Sequence, residues 1–120
     1  MRNLIIDIDN TLTLGDNEDY NLVSPNLKVI NKVIEYKKNG FNIVLFTARN
    51  MRTHQGNIGK ITAKSLPIIF KWLEKHNVPF DEIHVGKPWC GNDGFYVDDK
   101  TVRPDEFINK TYNQIKQIID

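Results

Sequence analysis

At 120 residues, with 40% hydrophobic residues and sixteen basic against fifteen acidic side chains, the chain has the make-up of one soluble domain, 1–120, around a single core. A net charge of +1 leaves no basic field to gather nucleic acid, and no apolar run approaches the roughly 20 residues of a membrane span. The lone Cys90 excludes an internal disulfide, and the N-terminus lacks the apolar core and cleavage site of a signal peptide, so a cytoplasmic location is expected.

The run from Leu4 to Asp9 has no polar face until its aspartates and predicts a buried strand. Residues 11–23 predict a loop, its GDNEDYN stretch rich in turn formers and acids. Ser24-Pro25 then marks a helix start, with a cap residue before a proline in the first turn. Leu27, Ile30, Val33, Ile34 and Lys37 keep helical spacing, and Asn39-Gly40 supplies the stop. FNIVLFT, 41–47, predicts a second buried strand. Residues 48–59 are polar and basic, a loop by composition. Helical spacing returns in ITAKSLPIIFKWLEKHN, where either Ser65 caps a helix with Pro67 in its first turn or a longer helix kinks there. DEIHV, 81–85, predicts a third strand and GFYVDD, 94–99, a fourth. From Pro104 a last helix is expected, with Phe107, Ile108, Tyr112, Ile115 and Ile119 as its apolar face. Strands alternating with helices predict an α/β fold, a Rossmann-like three-layer sandwich with a mainly parallel sheet.

In such sheets, functional groups collect beyond the carboxyl ends of the strands. Here the first strand ends at Asp7 and Asp9, the second at Thr47, the third is followed by Lys87, and the fourth ends at Asp98-Asp99. Each has a plain structural role when taken alone: an Asx turn, a turn cap, a solvated lysine, another cap. Four loaded strand ends in one sheet point instead to a site. Four carboxylates on one rim need a compensating cation, and an all-oxygen cluster without thiolate suits Mg²⁺, with Lys87 as a second positive charge.

DIDNT (7–11), LFTAR (45–49), GKP (86–88) and YVDDK (96–100) resemble, in order, the four motifs of the haloacid-dehalogenase-like (HAD) phosphatases. The longer stretches FTARNMRTHQGNIGKI and VGKPWCGNDGFYVDDK are similar to small phosphatases encoded with bacterial capsular polysaccharide biosynthesis. The resemblance implies a Mg²⁺-dependent phosphomonoester hydrolase in which Asp7 is the nucleophile and Asp9 the acid-base group. It implies Mg²⁺ held by Asp7, the Asp9 carbonyl and Asp98 with Asp99 beside it, while Thr47 and Lys87 steady the phosphoryl group. Only about ten residues, 14–23, separate the first motif from the first helix, which leaves a flap at most and implies a capless (C0-type) core. Capless relatives often oligomerise, so a homo-oligomer is also implied. The implied substrate is a phosphorylated sugar or polyol intermediate of capsule or surface polysaccharide synthesis.

Substrate contacts are expected from Thr11 and from the loop after Thr47, where Ala48, Arg49, Arg52, His54 and Lys60 offer a grip on a second anionic group. A plain solvated loop is the equal alternative. The nine residues 86–94 are too few for a helical crossover, so that connection is expected to be irregular, with Trp89 and Cys90 packing it down. Two other classes share parts of this pattern. A phosphoacceptor receiver domain also combines acids, Thr and Lys, but places its acidic pair first and its lone aspartate after the third strand. A silent phosphosugar-binding scaffold would not need candidates at all four motifs.

Overall fold

The computed structural model describes residues 2–15 and 17–120; Asp16, in the expected 11–23 loop, lies outside the described residues. These residues fall into two compact units, Met1–Trp89 and Cys90–Asp120.

The first unit is built on a parallel sheet. Strands β1 (Asn3–Asp7), β4 (Asn42–Thr47) and β5 (Glu82–Val85) lie in the order β1-β4-β5, between which the chain forms α1 (Leu27–Lys38), α2 (Ile58–Lys64) and α3 (Leu66–Lys75). Asp7 pairs with Phe46 and Thr47 with Val85, so the carboxyl ends of all three strands share one rim. Central β4 carries Ile43, Val44 and Leu45 buried in succession, as a strand covered on both faces should. Expected as a buried strand, β1 is instead the sheet's edge, and Ile5 is 63% exposed. It also stops two residues early. Fully buried Ile8 begins a turn in which its carbonyl accepts from the amides of Thr11, Leu12 and Thr13 at 3.2, 2.8 and 3.1 Å.

Between β1 and α1 a short antiparallel ribbon pairs β2 (Thr13–Leu14) with β3 (Ser24–Pro25) and closes the base of a small flap. That pairing moves the helix start. Ser24 and Pro25 are used by the ribbon, the Asn26 amide donates to the Leu12 carbonyl, and Asn26 rather than Ser24 caps α1 by accepting from the Val29 amide. At the other end Gly40, with φ +91°, supplies the left-handed stop after Asn39. Ser65 and Pro67 resolve as a break between two helices. Ser65 closes α2, and its hydroxyl donates to Asn50 Oδ1 at 2.7 Å instead of capping α3. Buried Trp72 on α3 donates its indole N–H to the Val23 carbonyl at 3.1 Å, which ties that helix to the flap's return strand.

The second unit contains α4 (Pro104–Asn109), where Glu106 accepts from the Arg103 amide, and α5 (Tyr112–Ile119), opened by a capping box, so the expected single C-terminal helix is broken at Lys110-Thr111. Thr111 does the breaking, because its side chain accepts from the Gln114 amide and restarts the helix. The expected fourth strand, 94–99, does not form among the described residues. Phe95 is 80% and Val97 87% exposed, and a strand without a ladder partner leaves its backbone to water. The 86–94 connection is irregular as expected: Gly86 and Gly91 have φ of +88° and +80°, and Gly94 packs so closely on the Cys90 carbonyl that no side chain fits there. No helix among the described residues is long and apolar enough to cross a membrane.

Candidate functional site

Alternation along the chain delivers Asp7 and Asp9 to one side while Ile8 between them enters the core. Asp7 ends β1 and accepts from Thr11 Oγ1 at 3.1 Å on Oδ2 and from Lys87 Nζ at 3.5 Å on Oδ1. Thr11 is brought back by the turn on the Ile8 carbonyl, whose second corner is Asn10 at φ +63°, a conformation asparagine tolerates better than most residues. Lys87 is placed by its own amide, which donates to the Thr47 carbonyl at 3.1 Å and extends the β4 pairing one step past β5. Gly86 before it takes a left-handed turn under Ile58, whose side chain fills the space where a Cβ would stand. Burial pushes the Asp7 carboxyl above its ordinary range, against the pull of Lys87 and the Thr11 hydroxyl, and the neighbouring Asp9 charge pushes the same way.

Asp9 is held by three donors. Tyr20 Oη and Arg49 Nη1 donate to Oδ1 at 2.8 and 3.1 Å, and Thr47 Oγ1 donates to Oδ2 at 3.3 Å. Thr47 is wholly buried and also accepts from the Arg49 amide at 3.0 Å, so the end of β4 fixes both residues. The Arg49 guanidinium reaches on to the carbonyls of Asn17 and Glu18 at 2.9 and 2.6 Å, with its carbon 3.9 Å above the Tyr20 ring. Arg49 thus fastens the flap to the rim. Burial drives the Tyr20 phenol far above its usual range, with the Asp9 charge adding to it, so Tyr20 stays a neutral donor. Arg49→Ala removes the fork and the ring contact together. It is expected to raise the rate of limited proteolysis within 17–22 at least tenfold, the equivalent of about 1.4 kcal/mol of local stability.

The other expected substrate contacts divide. Ala48 accepts from the Met51 amide and begins a tight turn, and the Arg52 guanidinium lies 5.6 Å from the ring centre of half-exposed Trp89. His54 lines a cavity of about 200 Å³ together with Glu18, Arg49, Asn50, Lys64, Ser65 and the apolar Ile68. Lys60 is exposed on the first turn of α2 and does not line that cavity; Lys64, one turn later, does. Tyr20 and Lys64 are the residues the sequence reading missed. Tyr20 carried a signal, an aromatic residue among the acids and turn formers of the flap, whereas Lys64 sits in an ordinary amphipathic helix.

Asp98 and Asp99 belong to the second unit, where Asp98 accepts from the Lys100 amide at 3.1 Å. That bond, followed by one from Asp99, holds the Asp98 carboxyl below its usual range. Among the described residues no three His, Cys, Asp or Glu side chains converge to hold a metal ion. The first unit does offer the half-buried Asp7 carboxylate at the end of β1. Mg²⁺ is commonly bound by one or two carboxylates, with water and substrate phosphate completing its shell, and a carboxylate so placed fits that habit.

No protein-family model and no curated protein matches the sequence. Among solved structures, a crystal structure of a structural-genomics target from Vibrio cholerae is 55% identical, covers 99% of this chain and 97% of its own, and superposes with a TM-score of 0.96. At that identity and coverage, this chain belongs to the same family as the Vibrio cholerae protein.

Proposed function

We propose that the protein is a HAD-like, Mg²⁺-dependent phosphomonoester hydrolase with a capless core, acting on a phosphorylated sugar or polyol, with capsule or surface polysaccharide synthesis as its setting. One observation carries the reading: a half-buried carboxylate of raised proton affinity, Asp7, stands beside a lysine and two residues from a second carboxylate clamped by Tyr20, Thr47 and Arg49. A lone structural aspartate has no use for that company.

Asp7 attacks phosphorus through a carboxylate oxygen, and the bond from phosphorus to the leaving alcohol breaks as Asp9 delivers its proton to that oxygen. Water then attacks the aspartyl phosphate, Asp9 takes the water's proton, and the acyl–phosphate bond breaks to return Asp7. Asp9 Oδ2 is the atom suited to carry the proton, because its single partner is the Thr47 hydroxyl, which can turn from donor to acceptor. Oδ1, fixed by Tyr20 and a guanidinium, accepts only. Lys87 neutralises the incoming phosphoryl charge. Mg²⁺, when bound, supplies further neutralisation at the phosphoryl oxygens; Asp7 would hold it, with the Asp9 carbonyl as the sequence resemblance implies.

The test is phosphate release from a panel of sugar, polyol and nucleotide phosphates with and without Mg²⁺. Metal-dependent release from sugar or polyol phosphates is expected. Stable labelling by acetyl phosphate without turnover would replace this reading with a phosphoacceptor domain.

A further inference from the structure

We propose that the cavity beside Arg49 is a specificity subsite for a second negative charge on the substrate, a carboxylate or a further phosphate carried by a sugar-sized, hydroxyl-rich leaving group. The placement rests on the phosphatase reading: Asp9 protonates the leaving oxygen, so the leaving group lies on the Asp9 side of Asp7. Arg49 is both the ion-pair partner of Asp9 and a wall of the cavity, so the cavity adjoins Asp9.

Size and chemistry narrow the occupant. At about 200 Å³ the cavity is smaller than the roughly 300 Å³ at which drug-sized pockets begin, and suits one sugar ring or a short polyol. The charge of Arg49 is already committed to Asp9 and two carbonyls. Asn50 and Ser65 are bonded to each other, which fixes that wall. Lys64 is different. Its ammonium has no hydrogen-bond or ion-pair partner among the described residues, and neither has the ring of His54, and both residues line the cavity. The Glu18 carboxylate, also without a partner among the described residues, accepts from hydroxyl groups and repels an anion from its own end of the cavity. Hydroxyl groups can donate to Glu18 and accept from Lys64, but only an anionic group also pairs its charge with the ammonium, the stronger bond.

Two variants and two readouts test this. Lys64→Gln removes the charge from the cavity wall, and Lys71→Gln removes one from α3 outside it. With matched substrates, a phosphorylated sugar acid, a sugar bisphosphate and a neutral polyol phosphate, Lys64→Gln is expected to raise KM for an anionic substrate about tenfold with kcat within about threefold. Neutral-substrate KM and the Lys71→Gln enzyme should not move. Which anionic substrate responds identifies carboxylate or phosphate. Equal effects on neutral and anionic substrates, or none on either, overturn the subsite. The second readout needs no turnover: backbone amide shifts of the full chain titrated with gluconate and, separately, with inorganic phosphate. Shifts at Asn50, His54 and Ser65 that vanish in Lys64→Gln support the subsite even if no phosphate ester is hydrolysed, in which case the phosphatase reading alone has failed. No shifts at those residues with either probe, beside turnover indifferent to substrate charge, reject the subsite and leave the phosphatase standing.

Discussion

Asp7→Asn is expected to abolish phosphate release, a loss on the order of 10⁴-fold or more in kcat, while leaving the protein at least as stable as before. The two effects have one origin. A nucleophile needs its carboxylate charged and stripped of water, and stripping water from a charge costs folding free energy. Asp7 shows that cost as a raised pKa: burial, helped by the Asp9 charge, outweighs Lys87 and Thr11. A folded-state pKa above the unfolded value means that the native chain holds the proton longer, so native stability falls as pH climbs above the ordinary value of 3.8 and through the raised one. An amide has no charge to desolvate. The advantage of Asp7→Asn over wild type in thermal melts should therefore be smallest at acid pH, grow across that window and then level off. Mg²⁺ should raise the melting temperature of the wild type and have little effect on the variant, since a ligand stabilises only the state that binds it. A variant less stable than wild type at neutral pH would mean that Asp7 is held by its ion pair with Lys87, and the nucleophile reading would lose its main support.

Asp9→Asn is the second large effect, a loss of about 10²- to 10⁴-fold in kcat on alkyl phosphates, the usual range for removing a general acid-base group. The amide oxygen can still accept from Tyr20 and Arg49, so the flap should stay fastened and the melting temperature should hold. Lost instead is proton delivery from Oδ2. Because a nitrophenolate leaves without a proton, the first step should suffer less on nitrophenyl phosphate than on a sugar phosphate. The second step still lacks its base, so phosphorylated enzyme should accumulate, visible as a mass increase in acid-quenched samples. Equal losses on both leaving groups with no accumulation would assign Asp9 to positioning alone.

Much of the first unit was legible because its signals are local. Apolar runs closing on Asp7 and Thr47, and a helix stopped by Asn39-Gly40, depend only on neighbours in sequence. Misreadings came where a distant partner decided the outcome. Ser24-Pro25 looks like a cap because it is one in isolation; Thr13 and Leu14 across the flap turn it into a strand. GFYVDD has the composition of a strand, but a strand is a pairing, and composition does not supply the partner. Lys60 and Lys64 differ in sequence only by a turn of helix, and the side of α2 that meets the Asn50 turn is set by the tertiary packing of Ile61, not by the charge pattern. Asp7, Asp9, Thr47 and Lys87 were readable as a set because the carboxyl rim of a parallel sheet is a place that sequence can name in advance.

The outer edge of β1 has a reach beyond the sheet itself. A strand edge is a row of unspent donors and acceptors open to any passing segment, and natural edges are usually blunted by lysine or proline. Neither occurs between Asn3 and Asp7, and Ile5 faces outward in the middle. Because this edge runs straight into Asp7, a segment laid along it would change the water around that carboxylate. By linkage, whatever binds at Asp7 must in turn change how readily the edge recruits a neighbour. A segment paired along this edge and a ligand at Asp7 would then act on one equilibrium.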